Sequence, residues 1–312
     1  MKYKACIIIP TWNSEDYTIR CFESIYKNTE NFLLVWVDNG SKKESREKVE
    51  KYVDESGIPC KKIFNDENLG FVKATNQGMK FAMTQKTDYL ILQNNDSEVF
   101  KGWLDGMIKT AKSRKDIGIV GPLASPSHGW QDINNLYKKR PDEFADLPKY
   151  ENNPQEYAEI IRKKYAGEKM EVYPNVAFFC TLFKRDLVKK IGYLSEDFGI
   201  GFSDDDDYCA RALEAGYKIY LAKDVFVFHN HRTTFKENFS EEEIKKMGEK
   251  NRKILKKKHL HYKDLIDRRP KNIKQLLALL KKIAKEEGLW ESVKYLARFV
   301  KYVLFTRKKS WL

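Results

Sequence analysis

The sequence of 312 residues lacks the cysteine pattern of a disulfide-bonded or zinc-binding framework. Its five cysteines are scattered along the chain without any C-x-x-C pair, and an odd number cannot close completely into disulfides. Such cysteine usage is typical of a protein that folds in a reducing compartment. We therefore expect a cytoplasmic protein.

Long hydrophobic runs and glycine-rich nucleotide motifs are also missing. No apolar run approaches the roughly 20 residues of a membrane-spanning helix, and the first residues lead into "ACIIIPTWN" without the features of a signal peptide. We therefore expect a soluble or peripheral protein. No G-x-G-x-x-G follows the first predicted strand and no G-x-x-x-x-G-K-[ST] occurs, which argues against a dinucleotide-dependent dehydrogenase and a P-loop triphosphatase.

The positive charge of the chain is concentrated near one end. The formal net charge is +13, but residues 1–235 carry 35 basic and 35 acidic side chains, so the whole excess lies in residues 236–312. This distribution predicts a neutral body followed by a basic helical extension. Apolar residues recur at helical spacing on one face of the extension, at Leu289, Val293, Leu296, Val300 and Val303. The pattern fits a hairpin packed on the body or on a second subunit, and equally an interfacial helix on an anionic membrane.

Short apolar runs alternate with amphipathic stretches in the first third of the chain. Strands are predicted at 5–10, 32–38, 60–64 and 88–93, and helices at 14–28, 42–56, 70–85 and 102–114. This alternation predicts an α/β fold with a mostly parallel sheet. Ligands bind at the carboxyl ends of such strands, where "TWN", "DNGS", "NDENLG" and "NNDSEV" supply polar side chains suited to a sugar, a ribose or a phosphate.

Seven segments carry a resemblance to a known family. In chain order they are "IIIPTWN", "VDNGS", "NLGFVKATNQG", "LQNNDSEV", "FFCTLFKRDLVKKIG", "DDDDYCARALEAGYK" and "VFVFHNHRTTF". Over about residues 3–235 the chain resembles a family 2 glycosyltransferase of the GT-A fold. The resemblance implies a Rossmann-like, mostly parallel central sheet flanked by helices. It also implies a catalytic domain at 1–235, which the basic helical extension at 236–312 follows. Residues 122–175 are irregular and rich in Pro, Asn, Lys and aromatics, so we expect an acceptor-side insertion there, and the chain to return as a core strand at 174–186.

The resemblance implies a donor site for a nucleotide-diphosphate sugar. Asp38 matches the aspartate that meets the base, and its plainer interpretation is a strand-end cap. Gly70 and Asn76 match a loop and helix start near the ribose and diphosphate, and would otherwise only permit a turn and cap a helix. Arg232 lies where it would neutralise the leaving diphosphate. The implied nucleotide-sugar positions are Thr11, Asn13, Asp38, Asn68, Gly70, Asn76, Asn94, Asn95 and Arg232.

A divalent metal ion, Mn²⁺ or Mg²⁺, is implied at "NNDSEV". This segment takes the place of the family's D-x-D element, although Asn94 stands where the first aspartate often is, so Asp96 is the implied ligand. One carboxylate is chemically sufficient, because these hard cations also take phosphate oxygens and need only one or two protein ligands. His229 matches the histidine that completes the metal or diphosphate site, with His231 in reserve.

The run of four aspartates at 204–207 begins a predicted helix. The N-terminus of a helix stabilises carboxylates in its first turn, and Asp207 is spaced to pair with Arg211. By the resemblance, Asp206 faces solvent and the first two aspartates face the cleft. Asp205 is the expected base that takes the acceptor's proton in an inverting transfer, with Asp204 as the alternative. Neighbouring carboxylates would raise the pKa of that base and make it a better proton acceptor.

The partners implied are a donor and an acceptor. UDP is the first choice of nucleotide, with dTDP and GDP as alternatives, and the acceptor is a glycan or lipid-linked precursor of a cell-surface polysaccharide. A homo-oligomer stays open, as does contact with an anionic membrane through the C-terminal helices. Two other functions compete: a glycan-binding module that has lost catalysis, and a nucleic-acid-binding protein with a basic arm. The presence of Asp96, Asp205 and His229 argues against the first, and the neutral body against the second.

Overall fold

The structure is a computed structural model of the chain. It describes residues 2–125, 127, 129–139, 147, 150–151, 153–230, 239–259, 273–286, 289–290, 292–293 and 296–297. His231 and Arg232 lie outside the described residues. The chain divides into two compact units, Met1–Leu260 and His261–Leu312.

The first unit is built on a central sheet, which has nine strands among the described residues. The strands are β1 (Ala5–Thr11), β2 (Phe32–Asn39), β3 (Cys60–Asn65), β4 (Tyr89–Gln93), β5 (Ser97–Val99), β6 (Ile117–Ser125), β7 (Lys169–Val172), β8 (Cys180–Lys184) and β9 (Lys218–His229). Their order across the sheet is β3-β2-β1-β4-β8-β6-β9-β5, and β7 pairs with β9 beside this path.

The sheet is mostly parallel, which confirms the prediction. β1 pairs in parallel with β2 and β4, β2 with β3, and β6 with β9. β8 lies antiparallel between β4 and β6, so those two strands run in the same direction. The carboxyl ends of β1, β4, β6 and β9 therefore meet at one edge of the sheet.

Helices cover the sheet. In the first unit they are α1 (Glu15–Asn28), α2 (Lys43–Ser56), α3 (Phe71–Ala82), α4 (Trp103–Lys112), α5 (Ile133–Lys139), α6 (Pro154–Lys164), α7 (Arg185–Ile191), α8 (Asp204–Glu214) and α9 (Glu241–Lys258). Every residue of β1 and β2 is buried. Continuous burial of this kind is what parallel strands covered on both faces require, and it explains their unbroken apolar runs.

The structure differs from the predicted organisation in three places. The insertion predicted at 122–175 begins inside β6, whose residues are all buried because it pairs with both β8 and β9. The core strand predicted at 174–186 is shorter, since α7 begins at Arg185 directly after β8. Helix α9 lies beyond the domain boundary predicted at 235, yet it belongs to the first compact unit.

The second unit contains α10 (Ile273–Glu286). The Ser292 hydroxyl donates a hydrogen bond to the Leu280 carbonyl oxygen at 2.9 Å, which ties the following segment back onto α10. Three residues of the predicted apolar face, Leu289, Val293 and Leu296, are exposed, and Val300 and Val303 lie outside the described residues. In the part of the chain that the structure describes, no helix combines the length and apolarity needed to cross a membrane.

Candidate active site

A cleft of about 280 Å³ lies at the carboxyl edge of the sheet. One wall comes from the ends of β1, β2 and β4, and the other from the start of α8 and the loop before it. The lining residues are Pro10, Thr11, Trp12, Asn39, Asn68, Phe71, Asn94, Asn95, Asp96, Ser127, Ala177, Phe178, Phe179, Ile200, Gly201, Phe202, Asp204, Asp205, His229 and Phe239. The strand-end turns named from the sequence thus contribute to one cavity.

Asp96 and His229 form a close pair in this cleft. β5 pairs antiparallel with β9 so that Ser97 lies opposite His229, and the Asn230 amide donates to the Asp96 carbonyl oxygen at 2.8 Å. This pairing brings Asp96 Oδ1 within 3.2 Å of His229 Nε2. Both residues are nearly buried, with 6% and 5% exposure, and the Phe179 ring stacks on the imidazole at 4.7 Å. The two groups predicted to hold a metal ion are therefore adjacent.

The residues around this pair suit a divalent cation bound together with a diphosphate. Asn94 Oδ1 is buried at the cleft, and it has no hydrogen-bond partner among the described residues, so an oxygen acceptor is left for a ligand. Asn95 is instead held by its amide, which donates to Thr18 Oγ1 at 2.9 Å. No group of three or more His, Cys, Asp or Glu side chains that could hold a metal occurs within the described residues. One carboxylate and one imidazole fit Mn²⁺ if phosphate oxygens complete its coordination.

Asp204 and Asp205 face the same cavity from the first turn of α8. Burial, with the charge of Asp206 as a further cause, raises the pKa of Asp204 to about 7. Burial likewise raises the pKa of Asp205 well above its usual range, and the charges of Asp206 and Asp204 add to the effect. Neighbouring carboxylates were expected to cause the raised pKa, but desolvation is the larger cause. Both aspartates therefore have the raised proton affinity that a general base needs.

The other two aspartates of the run do not line the cleft. Asp207 is fully buried; its Oδ2 accepts from Arg211 Nε at 2.9 Å, and its Oδ1 lies 2.9 Å from His259 Nε2. The pairing with Arg211 agrees with the helical spacing. Asp206 was expected to face solvent, but it is half-buried because the Asn175 amide donates to its carboxylate.

Three of the residues predicted to bind the nucleotide-sugar make hydrogen bonds within the strand-end turns or to neighbouring elements. Thr11 lines the cleft while accepting a hydrogen bond from Trp36 Nε1 at 2.9 Å. Asn13 lies outside the described lining and holds the neighbouring turn, since its Oδ1 accepts from the Lys42 amide at 2.9 Å. Asp38 is also outside the lining; it is buried and accepts from Arg46 Nε at 2.9 Å. The contact partner of Asp38 in this structure is therefore an arginine of α2.

Asn68, Gly70 and Asn76 have three different environments. Asn68 lines the cleft, and its Oδ1 accepts from Asn39 Nδ2 at 2.8 Å and from the Gly70 amide at 2.9 Å. Gly70 has φ 86°, and a Cβ here would lie 2.8 Å from the Gly199 carbonyl oxygen, so glycine permits α3 to approach the loop before α8. Asn76 is buried away from the lining and exchanges two hydrogen bonds with the Leu194 backbone.

Several lining residues were not named from the sequence. Asn39 follows Asp38 in the "VDNGS" segment, so its position at the end of β2 was a usable signal. Trp12 lies between Thr11 and Asn13, and its ring centroid is 6.2 Å from that of Phe239. Phe239 comes from beyond the predicted domain boundary, and Phe202 lies in a loop with no regular periodicity. Nothing local in the sequence marks these two residues as part of the cleft.

Comparison with known proteins identifies the fold. A family model described as glycosyl transferase family 2 matches residues 6–192, which is more than half of the chain. An uncharacterized protein of Mycobacterium tuberculosis is 22% identical over 236 residues, covering 75% of this chain and 76% of that protein.

Two solved structures are similar to the chain. GalNAc-T7 with UDP, GalNAc and Mn²⁺ has a TM-score of 0.53 at 14% identity and covers 73% of this chain, which spans only 44% of the GalNAc-T7 chain. A mannosyltransferase from Pyrobaculum calidifontis, in complex with GDP-Man and Mn²⁺, has a TM-score of 0.52 at 15% identity, covering 97% of this chain and 81% of that one. These likenesses confirm the predicted GT-A fold.

Proposed function

The chain belongs to glycosyl transferase family 2, and we propose that it is an inverting, metal-dependent enzyme that transfers a sugar from a nucleotide-diphosphate donor to a glycan or lipid-linked acceptor. One observation carries the proposal. Asp204 and Asp205, whose pKa values are raised, share a single cleft with the Asp96–His229 pair at the carboxyl edge of the sheet. A proton acceptor and a diphosphate site are the two parts that glycosyl transfer with inversion requires.

The residues take separate roles in the proposed reaction. Asp205 accepts the proton of the acceptor hydroxyl while the acceptor oxygen bonds to the anomeric carbon and the nucleotide diphosphate leaves from the opposite face. Burial keeps the pKa of Asp205 high, and the charges of Asp206 and of the more deeply buried Asp204 add to the effect. Asn39, Asn68 and Asn94 present amide groups to the donor. Asp96 and His229 would hold a divalent ion, which supplies charge neutralisation to the leaving diphosphate.

The donor is testable by thermal shift. UDP-, dTDP- and GDP-sugars would each be added with and without Mn²⁺, since a ligand that binds the folded state raises Tm. We expect one nucleotide, UDP first, to stabilise the protein only when Mn²⁺ is present. The structures of GalNAc-T7 with UDP and the archaeal mannosyltransferase with GDP-Man, both with Mn²⁺, support this choice of ligands. A panel without any metal-dependent shift would contradict the proposal.

The proposed acceptor is a cell-surface polysaccharide precursor, and the second unit offers a means of reaching a membrane surface. Leu289 and Trp290 are largely exposed, and α10 carries the exposed basic residues Lys274, Lys281 and Lys285. Apolar and basic groups together favour attachment to an anionic interface. We expect the full chain to sediment with anionic but not neutral liposomes at low salt. Replacing the three lysines by glutamate should abolish that sedimentation, and its absence in the unaltered chain would exclude membrane attachment.

A further inference from the structure

Helix α9 contacts the loop that leads into the candidate active site, and it lies outside the matched family region. The family model ends at residue 192, and α9 begins at Glu241. Its Asn251 side chain is 5% exposed, and Asn251 Nδ2 donates to three backbone carbonyl oxygens of one loop: Phe198 at 2.9 Å, Gly201 at 2.6 Å and Phe202 at 3.2 Å. A single buried amide thus holds three successive parts of this loop.

The loop held by Asn251 leads directly into the candidate catalytic aspartates. Phe202 and Ser203 have φ of 70° and 63°, in the left-handed region that non-glycine residues rarely adopt. Backbone of this kind persists only where its surroundings hold it in place. Gly201 and Phe202 line the cleft, and α8 begins one residue after Ser203. The direction in which the first turn of α8 presents its carboxylates therefore depends on this loop.

Further contacts hold the loop between α3 and α9. On the α3 side, the Val72 amide donates to the Gly199 carbonyl oxygen at 3.1 Å. On the α9 side, Lys258 Nζ lies 2.5 Å from Asp197 before the loop, and His259 Nε2 lies 2.9 Å from Asp207 after it. The His259 and Lys258 contacts fix the flanks, whereas Asn251 alone among these residues bonds the strained segment itself.

We propose that Asn251 is a positioning residue for Asp204 and Asp205. Helix α9 therefore contributes to the geometry of the active site and does not belong to a separate C-terminal extension. The inference rests on the proposed transferase function. An amide suits this position because its nitrogen offers two hydrogens to converging carbonyl oxygens while adding no charge to the buried site. Asn251 acts on the geometry of the base, since its side-chain hydrogen bonds go to the loop before α8.

The test separates turnover from donor binding. Displacing a catalytic group by about 1 Å can cost on the order of 10²-fold in rate. We expect Asn251→Ala to lower kcat by roughly 10- to 100-fold, while the donor Kd with Mn²⁺ changes by less than about threefold because the donor wall is formed by β1, β2 and β4. Asn251→Asp keeps the shape but presents a carboxylate to three carbonyl oxygens, so its kcat should fall at least as much as that of Asn251→Ala. Asn251→Gln, which restores a donor, should recover part of the rate.

Leu255→Ala is the matched control. Leu255 is buried on the same face of α9, one turn after Asn251, and bonds no part of the loop through its side chain. It should lower Tm by an amount comparable with Asn251→Ala, yet keep kcat near that of the unaltered chain at a temperature well below both transitions. Equal kcat losses in the two variants, or an unchanged kcat in Asn251→Ala, would show that α9 only stabilises the fold and would overturn the proposal.

Hydrogen exchange distinguishes failure of this inference from failure of the proposed function. The Gly201 amide donates to the Phe198 carbonyl and the Asp207 amide to the Ser203 carbonyl, so their protection reports the loop directly. We expect these amides to exchange faster in Asn251→Ala than in Leu255→Ala, whether or not any donor is turned over. Unchanged exchange would overturn the positioning role. If the unaltered chain transfers no sugar but the exchange differs as expected, only the proposed function fails.

Discussion

The two walls of the cleft differ in charge and in the elements that build them. The proposed donor wall, at the ends of β1, β2 and β4 and the turn after β3, presents a hydroxyl and neutral amides from Thr11, Asn39, Asn68 and Asn94. The opposite wall presents the carboxylates of α8, held by the loop before it. Neutral amides recognise sugar and ribose hydroxyls without a fixed charge, whereas carboxylates with raised pKa values can exchange protons. Because the proposed donor recognition and the proposed proton transfer lie on separate elements, we expect single substitutions to affect one without the other.

The largest effect is expected on the carboxylate wall. Asp205→Asn keeps the shape and hydrogen bonding of the side chain but cannot take the acceptor's proton, so kcat should fall by roughly 10²-fold or more. Donor binding with Mn²⁺ should survive, since the donor wall is unaltered. Steady-state kinetics beside calorimetric donor titration would measure both quantities. Should Asp204→Asn abolish turnover while Asp205→Asn does not, the roles of the two aspartates are exchanged.

Substitution of Asp96 tests the donor side of the comparison. Asp96→Ala removes the carboxylate of the Asp96–His229 pair, so the Mn²⁺-dependent part of donor affinity should be lost, by roughly 10- to 100-fold in Kd. Metal-independent donor binding should be unaffected. Asp66→Ala, on an exposed turn after β3, is a charge-matched control expected to change neither quantity. A variant that retains metal-dependent affinity would remove Asp96 from the proposed site.

Asp207 should affect stability rather than chemistry, although it lies in the same run as Asp205. Its carboxylate is fully buried against Arg211 and His259. Breaking a buried pair leaves an uncompensated charge, so Asp207→Asn should lower the free energy of unfolding by about 3 kcal/mol. Denaturant unfolding would measure this loss, with the half-buried Asp206→Asn as the comparison variant. An equal loss in both variants would contradict the distinction between the two positions.

The smallest effect is a displacement of the pH profile. A base works only when deprotonated, and the pKa of the expected base Asp205 is raised well above its usual range, so kcat/KM should begin to fall at a pH well above that of an ordinary carboxyl group. Asp204→Asn removes one charge beside Asp205 and should move this acidic limb to lower pH. Stability has the opposite dependence. Because the folded carboxyl of Asp204 holds a proton that the unfolded chain loses near pH 3.8, its contribution to stability declines between about pH 4 and 7. An acidic limb of the kcat/KM profile near pH 4 would contradict the assignment of Asp205 as a base with a raised pKa.

The contribution of the strand-end turns to the cleft was predictable from the sequence, but four of the implied donor positions, Asn13, Asp38, Gly70 and Asn76, do not line it. The first four predicted helices agree with α1 to α4 to within three residues at each end, because periodicity and strand-end turns are local signals. The insertion of β8 between β4 and β6 depends on pairing across about 90 residues of chain, which no local pattern encodes. The environment of Asp206 and the contact of Asn251 with the loop likewise depend on distant segments. Motif resemblance could name the aspartates but not what surrounds them.

The placement of β8 has a consequence for how the protein folds. Until Cys180–Lys184 pairs with Tyr89–Gln93, β4 is an unprotected edge whose five residues are buried in the native state. The first half of the chain therefore cannot complete the sheet beside β4, because β8 comes from the second half. Closing the long loop between β4 and β8 makes this pairing a late and slow step of folding. During synthesis, the strand that leads to Asp96 would remain open to pairing with other chains until the residues after β8 have left the ribosome. A fragment ending before β8 should for this reason aggregate through β4 instead of folding as a donor-binding half.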